Sequence, residues 1–168
     1  MGQILFRGDN RPGLDPYFLA FEGTGNKLVF GVTDANQNGA TVEFSGVPFD
    51  QWLFVAGTLD DATGKMKLYV NGNLVDSITT SVRPLDALDP NWSPGLSIGC
   101  DQTGQYGEYF NGWIDEVRLS NAALDPSQFL MPVPEPGSAA VFCLGAGIWV
   151  VARRRVPGLE AALIHSFG

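Results

Sequence analysis

The clearest structural signal in this chain is the stretch Lys65-Met66-Lys67-Leu68-Tyr69-Val70-Asn71-Gly72-Asn73-Leu74-Val75. Polar and apolar residues alternate in Lys65–Val70, the pattern of a β-strand with one face in a core and one in solvent. Asn71-Gly72 favours a two-residue hairpin turn, because a type I′ turn needs positive φ at both central positions. The sequence therefore predicts an antiparallel hairpin here.

Short apolar or alternating runs, separated by turn residues, continue on both sides of this hairpin, which predicts an all-β sandwich. Residues of both parities are apolar in Trp52–Gly57, which is expected to belong to a central strand covered on both faces. A short helix is expected to begin at Asp125-Pro126, because Asp125 can cap free N–H groups and proline suits the first turn. The predicted strands are Gln3–Arg7, Tyr17–Phe21, Lys27–Val32, Thr41–Phe44, Trp52–Leu59, Lys65–Val70, Asn73–Ile78, Leu96–Gly99 and Gly112–Leu119.

Four ordered motifs resemble the laminin-G-like branch of the concanavalin A-like lectin/glucanase superfamily. They are Trp52–Ala56, Leu68–Gly72, Leu96–Gly99 and Phe110–Leu119. The resemblance implies an antiparallel two-sheet jelly-roll sandwich over residues 1–130, in a family used mainly to bind sugars or proteins. Its members have one or two strands before the region that opens here. The expectation is therefore a sandwich that lacks its first strands and has an exposed sheet edge.

A second resemblance lies after this domain. Pro134, Glu135 and Pro136 precede an apolar run, Ala139–Ala152, and then Arg153, Arg154 and Arg155. This order resembles the PEP-CTERM sorting signal of Gram-negative bacteria, which implies recognition and cleavage by an exosortase in the inner membrane. The expected organisation is a proline-rich linker with the PEP motif (131–138), a short hydrophobic helix with the arginine cluster (139–155) and a tail (156–168).

The physical character of the apolar run agrees with a membrane encounter. As a helix this run would be roughly 21 Å long, whereas the hydrocarbon core of a bilayer is roughly 30 Å thick. It would therefore span only a thinned bilayer in which the arginine side chains extend to the headgroups. The alternative is a buried core helix followed by a solvated basic turn. The positive-inside rule places residues 1–131 on the periplasmic side, from where the protein is expected to reach the cell surface or extracellular matrix. Because Met1–Arg7 is not a secretion signal, the chain is expected to begin inside a longer gene product.

Charge and cysteine content limit the partners. Residues 1–130 hold 16 acidic and 7 basic side chains, a net charge of −9, so nucleic acid is excluded as a partner by repulsion of its phosphates. An acidic surface suits divalent cations or neutral sugars. Cys100 lies in the domain and Cys143 in the apolar run, and both are expected to be unpaired.

Asp115 is the candidate metal ligand. In a regular strand over Gly112–Leu119 it shares the more apolar face with Val117 and Leu119, where a carboxylate needs a partner. A structural calcium ion with backbone carbonyl ligands would satisfy it, and the family resemblance implies the same. The alternatives are that Asp115 caps a turn, pairs with an arginine or is turned outward by a bulge.

Aromatic and polar residues in loops are the candidate ligand-binding residues, since aromatic faces stack on sugar rings and polar groups bind hydroxyls. They are Trp92, Asp101, Tyr106, Tyr109 and Asn111. The alternative for Trp92 and Tyr109 is packing over the rim of the sandwich. Trp113 falls within a predicted strand and is interpreted as structural.

Catalysis is not expected. Glycoside hydrolysis needs paired carboxylates, and Glu22, Glu43 and Glu108 are isolated while Asp115 and Glu116 are adjacent and face opposite ways. The single histidine follows the arginine cluster, so no Ser/His/Asp arrangement is expected. The sequence therefore favours a non-catalytic, exported envelope protein that binds a glycan or an envelope or matrix protein. A structural matrix protein without a ligand is the alternative, and a degraded glycan hydrolase is a weaker one.

Overall fold

The computed structural model describes residues 2–23, 26–101, 107–130 and 163–166. Within them the chain forms ten strands and two short 3-10 helices, Pro90–Trp92 and Pro126–Gln128. The strands are β1 (Gly2–Gly8), β2 (Tyr17–Glu22), β3 (Lys27–Thr33), β4 (Gly39–Ser45), β5 (Trp52–Leu59), β6 (Lys65–Val70), β7 (Asn73–Thr79), β8 (Gly95–Ile98), β9 (Gly112–Asp115) and β10 (Leu163–Ser166).

The strands form two antiparallel sheets, as the sequence predicts for a jelly-roll sandwich. The first sheet has the order β4-β3-β2-β1-β8, and the second has the order β7-β6-β5-β10-β9. Each of the nine predicted strands is present, with ends that differ by at most a few residues. The all-β fold class is thus confirmed.

The core lies between the sheets, because alternate residues of both sheets point inward. Ile4, Leu19, Leu28, Val32 and Val42 come from the first sheet, and Leu53, Val55, Met66, Leu68 and Val70 come from the second. Burial of these apolar side chains is the main force that holds the two sheets together.

The predicted hairpin at Asn71-Gly72 is present between β6 and β7, and it also contacts β5. Asn71 and Gly72 have φ values of 50° and 76°. Both are positive, which meets the requirement of the turn. The N–H of Asn71 donates to the carbonyl of Phe54 at 2.7 Å, and the Asn71 Oδ1 accepts the N–H of Phe54 at 2.9 Å. One asparagine therefore forms the turn and fixes β5 beside it.

Two predicted elements differ in extent. The last predicted strand, Gly112–Leu119, ends at Asp115, because Glu116 has a φ of 49° and leaves the extended conformation. The helix expected at Asp125-Pro126 is a single 3-10 turn, Pro126–Gln128, in which the N–H of Asp125 donates to Gln128 Oε1 at 3.0 Å.

β10 is an element that the sequence analysis did not predict. Four residues of the tail form a strand between β5 and β9, antiparallel to both. The predicted helix over 139–155, the PEP motif and the arginine cluster lie outside the described residues. Among the residues that are described, no helix is both long and apolar enough to cross a bilayer.

Candidate functional site

Two exposed tryptophans lie on the outer face of the second sheet. Trp52 on β5 and Trp113 on β9 are both paired in register with His165 of β10, so they lie on the same face of the sheet, two strand spacings apart. That separation is about 9.5 Å between backbones. Their exposed fractions are 48% and 63%. We call this pair the tryptophan face.

The packing of neighbouring residues explains why both tryptophans point outward. Leu53 belongs to the core and Ile114 packs against it, so the residues just before them in their strands face the opposite side. From the sequence, Trp113 is expected to be structural and Trp52 is not a candidate ligand-binding residue. In both strands a tryptophan comes directly before an apolar core residue, and this pattern would have predicted that both tryptophans point outward.

The same sheet face is covered farther along β5. Phe54, Tyr69 and Phe129 form an aromatic cluster, with ring centroids 5.3 Å apart between Phe54 and Phe129 and 5.1 Å apart between Tyr69 and Phe129. The segment that follows β9 therefore shields this part of the sheet from solvent. The end that carries Trp52 and Trp113 is left as an exposed aromatic surface.

The predicted ligand-binding residues near β9 lie at one end of the first sheet. Tyr109 is 65% exposed and bridges to Gln3, and Asn111 is exposed two residues before Trp113. Asp101 closes the base of the intervening loop, because its Oδ1 accepts the N–H of Gly107 at 2.8 Å. Tyr106 lies outside the described residues.

Trp92 does not join this group. Its carbonyl accepts the N–H of Asn10, just beyond the end of β1, whereas Tyr109 bridges to Gln3 near the beginning of that strand. These two contacts are therefore about 17 Å apart, which is the length of an extended strand from Gln3 to Gly8. Trp92 is 48% exposed, so its predicted accessibility holds, but it belongs to a separate surface.

The Trp92 loop is held by a buried carboxylate. Asp9 is 1% exposed, and its oxygens accept hydrogen bonds from the Arg11 side chain at 2.6–3.0 Å and from the N–H of Asp89 at 3.0 Å. The Arg11 side chain is the main reason that the pKa of Asp9 falls from 3.8 to about 2, with the backbone N–H groups of Asp89 and Arg11 adding to the effect against the opposing effect of burial. On β1, Arg7 donates to the carbonyls of Leu85 and Asp86 in the same loop.

The pKa of a second carboxyl group, that of Asp15, is shifted in the opposite direction. Burial, and then the negative charges of Glu108, Asp9 and Asp101, raise the pKa of Asp15 above its ordinary value. Asp15 therefore lies in a locally negative potential, which disfavours anionic ligands near it.

Asp115 does not have the environment that suggested a metal ion. It is exposed on the outer face, and its Oδ1 accepts the N–H of Glu116 at 2.9 Å. The prediction of a carboxylate on an apolar face was wrong, because the strand ends at Asp115 and never brings Val117 and Leu119 into line with it. Among the described residues, no group of three or more acidic, histidine or cysteine side chains could hold a metal ion. Calcium stays an untested prediction.

Comparison with known families matches two parts of the chain. The model described as the concanavalin A-like lectin/glucanases superfamily, a laminin G-type model, matches residues 2–128. The model of the PEP-CTERM protein-sorting motif matches residues 132–156. No curated protein and no solved structure gives a significant match.

Proposed function

Because the chain belongs to the concanavalin A-like lectin/glucanase superfamily and carries a PEP-CTERM sorting motif, we propose that it is the non-catalytic, glycan-binding part of an exported bacterial envelope protein. The motif implies export, passage through a membrane and processing by an exosortase. The arginine cluster that closes the motif supports a periplasmic position for the sandwich before processing. Its final location is then the cell surface or the extracellular matrix.

The tryptophan face is the observation that carries the glycan proposal. Trp52 and Trp113 present two large aromatic surfaces on one side of the second sheet, where the flat apolar faces of sugar rings can stack. Sites on strands hold such groups more accurately than sites on loops. The net charge of −9 over residues 1–130 favours a neutral or weakly basic glycan over a phosphorylated or sulfated one.

The absence of catalysis is part of the proposal. Retaining and inverting glycosidases both place two carboxyl groups on either side of the bond that they cleave. Among the described residues of β5 and β9, Asp115 is the one carboxylate on the face that carries the two tryptophans. The next residue, Glu116, has a positive φ and no longer follows the strand. This arrangement supports binding without hydrolysis.

The test is binding of the full chain to a broad glycan array, followed by titration calorimetry with the best neutral ligand. We expect Trp52→Ala and Trp113→Ala each to weaken binding about tenfold or more, which corresponds to about 1.4 kcal/mol. Trp92→Ala is the matched control, because Trp92 has the same exposed fraction as Trp52 on a separate surface. Circular dichroism verifies that each variant is folded.

Three results would contradict the proposal in different ways. Loss of binding only in Trp92→Ala would move the site to the Trp92 loop. Hydrolysis of the bound glycan would show that the protein is an enzyme. A chain that binds nothing on the array would favour a structural matrix protein without a specific ligand.

A further inference from the structure

Three asparagines of the chain are followed directly by glycine. They are Asn38, Asn71 and Asn111. In such a pair the backbone nitrogen of glycine can attack the side-chain amide carbon of asparagine, because glycine has no Cβ to obstruct the approach. All three asparagines are exposed, so water reaches each of them. They differ in how firmly the surrounding structure holds the amide group.

Asn38 is held by Asp34 in the loop between β3 and β4. Its side-chain N–H donates to Asp34 Oδ2 at 2.9 Å, and its backbone N–H donates to Asp34 Oδ1 at 3.0 Å. Its carbonyl accepts the N–H of Asp34 at 3.0 Å. The amide carbon must rotate towards the nitrogen of Gly39 before it can react, and these hydrogen bonds oppose that rotation.

Asn71 is held in the turn between β6 and β7. Its Oδ1 accepts the N–H of Phe54 at 2.9 Å, and its own N–H donates to the carbonyl of Phe54 at 2.7 Å. The positive φ values of Asn71 and Gly72 add the restraint of a tight turn. An attack by the nitrogen of Gly72 would therefore require the contact with β5 to open first.

Asn111 has no comparable restraint. It lies directly before β9, and within the part of the chain that the structure describes its side-chain amide makes no hydrogen bond. Rotation of this amide towards the nitrogen of Gly112 therefore breaks no contact among the described residues. Of the three Asn-Gly pairs, this is the one in which the intramolecular attack is least hindered.

The backbone around Asn111 is anchored on both sides. The N–H of Phe110 donates to the carbonyl of Gly99 at 2.9 Å, and its side chain packs against the core. On the other side, Trp113 is paired with His165 in the register of β9 and β10. The backbone between Phe110 and Trp113 therefore has a fixed distance to cover.

The reaction consumes water and releases ammonia. The nitrogen of Gly112 loses its proton and bonds to the side-chain carbon of Asn111, and the amide group leaves as ammonia, which gives a cyclic imide. Water then adds to one of the two imide carbonyls and opens the ring. One product contains an ordinary aspartyl residue. The other contains an isoaspartyl linkage, in which the backbone runs through the side-chain carbon and is one carbon atom longer.

We propose that Asn111 is a site of spontaneous deamidation, and that its isoaspartyl product displaces Trp113 from its position beside β10. The extra backbone atom has to be accommodated between Phe110 and Trp113, and β9 has only four residues to keep its register. Both products also place a negative charge at position 111, which has the same parity as Trp113. The reaction is independent of ligand binding, whereas its effect on glycan affinity rests on the proposed function.

The test of the site is incubation of the full chain at pH 8 and physiological temperature, followed by peptide mapping. Mass spectrometry detects the exchange of an amide for a carboxyl group, and an isoaspartyl methyltransferase labels the isoaspartyl product. We expect Asn111 to react about tenfold or more faster than Asn38 and Asn71, because those two must first lose hydrogen bonds by local opening. The matched control is the chain in concentrated urea, where all three should react at similar rates.

Two results of this experiment would overturn the assignment. One is a faster reaction of Asn38 or Asn71 than of Asn111 in the folded chain. The other is an Asn111 that is preserved in the folded chain and reacts only in urea, because its amide would then be restrained as the other two are.

The effect of the product is measured on the same incubated samples. We expect the isoaspartyl form to unfold at a lower temperature than fresh protein and to bind the best neutral glycan several-fold more weakly. Asn111→Gln is the control, because glutamine cyclises far more slowly, and each protein is compared with its own fresh sample. Fresh Asn111→Asp protein adds the charge at an exposed position without lengthening the backbone, and should keep the unfolding temperature of the parent.

An equal loss in the incubated Asn111→Gln protein would show that incubation acts elsewhere, and would refute the effect on β9. An isoaspartyl form as stable as fresh protein would refute it as well. If fresh protein binds no glycan, the proposed function fails. Mass spectrometry and the unfolding temperature then still decide both the deamidation and its effect on β9.

Discussion

At the scale of single residues, Asp9 shows how a buried charge is made tolerable. It has almost no solvent exposure, yet Arg11 and the N–H of Asp89 satisfy its oxygens. A buried carboxylate without such partners would be strongly destabilising, whereas this one connects the end of β1 to a loop eighty residues away in sequence. The position of Trp92 depends on this link, because the N–H of Asn10 donates to the Trp92 carbonyl.

Removing the Asp9 carboxylate should destabilise the fold. We expect Asp9→Ala to lower the free energy of unfolding by about 2–3 kcal/mol, because it leaves the Arg11 guanidinium and the N–H of Asp89 without an acceptor. Urea unfolding at pH 7 measures the loss. The control is Asp61→Ala, which breaks an exposed ion pair with Arg83 and should cost less than about 1 kcal/mol.

The pH dependence gives an independent measurement of the same group. The pKa of Asp9 is lowered in the folded state, so its contribution is fully present above the ordinary value of 3.8 and is lost as the pH falls towards about 2. The difference in stability between the parent and Asp9→Ala should therefore shrink across that window. A difference that is the same at pH 7 and pH 2.5 would show that the carboxylate charge is not its source.

At the scale of elements, alternation in the sequence was sufficient to locate the strands of the two sheets. Asn71-Gly72 predicted its turn because the required backbone angles are local. The early end of β9 was missed because Glu116 adopts a positive φ that its residue type does not favour. β10 was missed because its pairing with β5 joins residues that are more than one hundred positions apart, and no local pattern encodes that choice.

Gly57 tests the fit between the two sheets. A Cβ at this position of β5 would overlap the ring of Phe30 on β3, so we expect Gly57→Ala to destabilise the protein by about 1–3 kcal/mol. Gly39→Ala is the matched control, because the nearest atom to its Cβ is the Val32 carbonyl oxygen at 3.9 Å. Thermal unfolding measures both variants. Equal midpoints would show that the Phe30 ring moves aside to accommodate the added methyl group.

At the scale of the whole molecule, residues 1–130 carry a net charge of −9, and three other acids influence Asp15 through space. Composition alone gives the sign of the charge, and the expected lack of a nucleic-acid partner stays a prediction. It could not predict which acids influence Asp15, because Glu108, Asp9 and Asp101 come within electrostatic range of it only through the folding of the chain. The candidate ligand residues were limited in the same way, since Trp92 and Tyr109 proved to lie near opposite ends of β1.

Considered alone, Asp15 should make the protein less stable at neutral pH than at moderately acid pH. Its pKa is raised in the folded state, so the stability that it contributes is greatest when it is protonated and declines as the pH rises from 3.8 through the raised value. We expect Asp15→Asn to raise the unfolding midpoint at pH 7 and to leave it nearly unchanged at pH 3. A lower midpoint at pH 7 would indicate that the ionised form is stabilised by a partner.

The two tryptophans lie on opposite sides of β10, and within the described residues β9 joins the rest of its sheet only through that strand. A sugar chain that stacks on both rings would therefore span β10 and hold β9 in place. Pairing of β10 and binding of the sugar should then strengthen each other by the same factor, as reciprocity requires. Adhesion to a glycan would thus depend on a strand that follows the sorting motif in the chain.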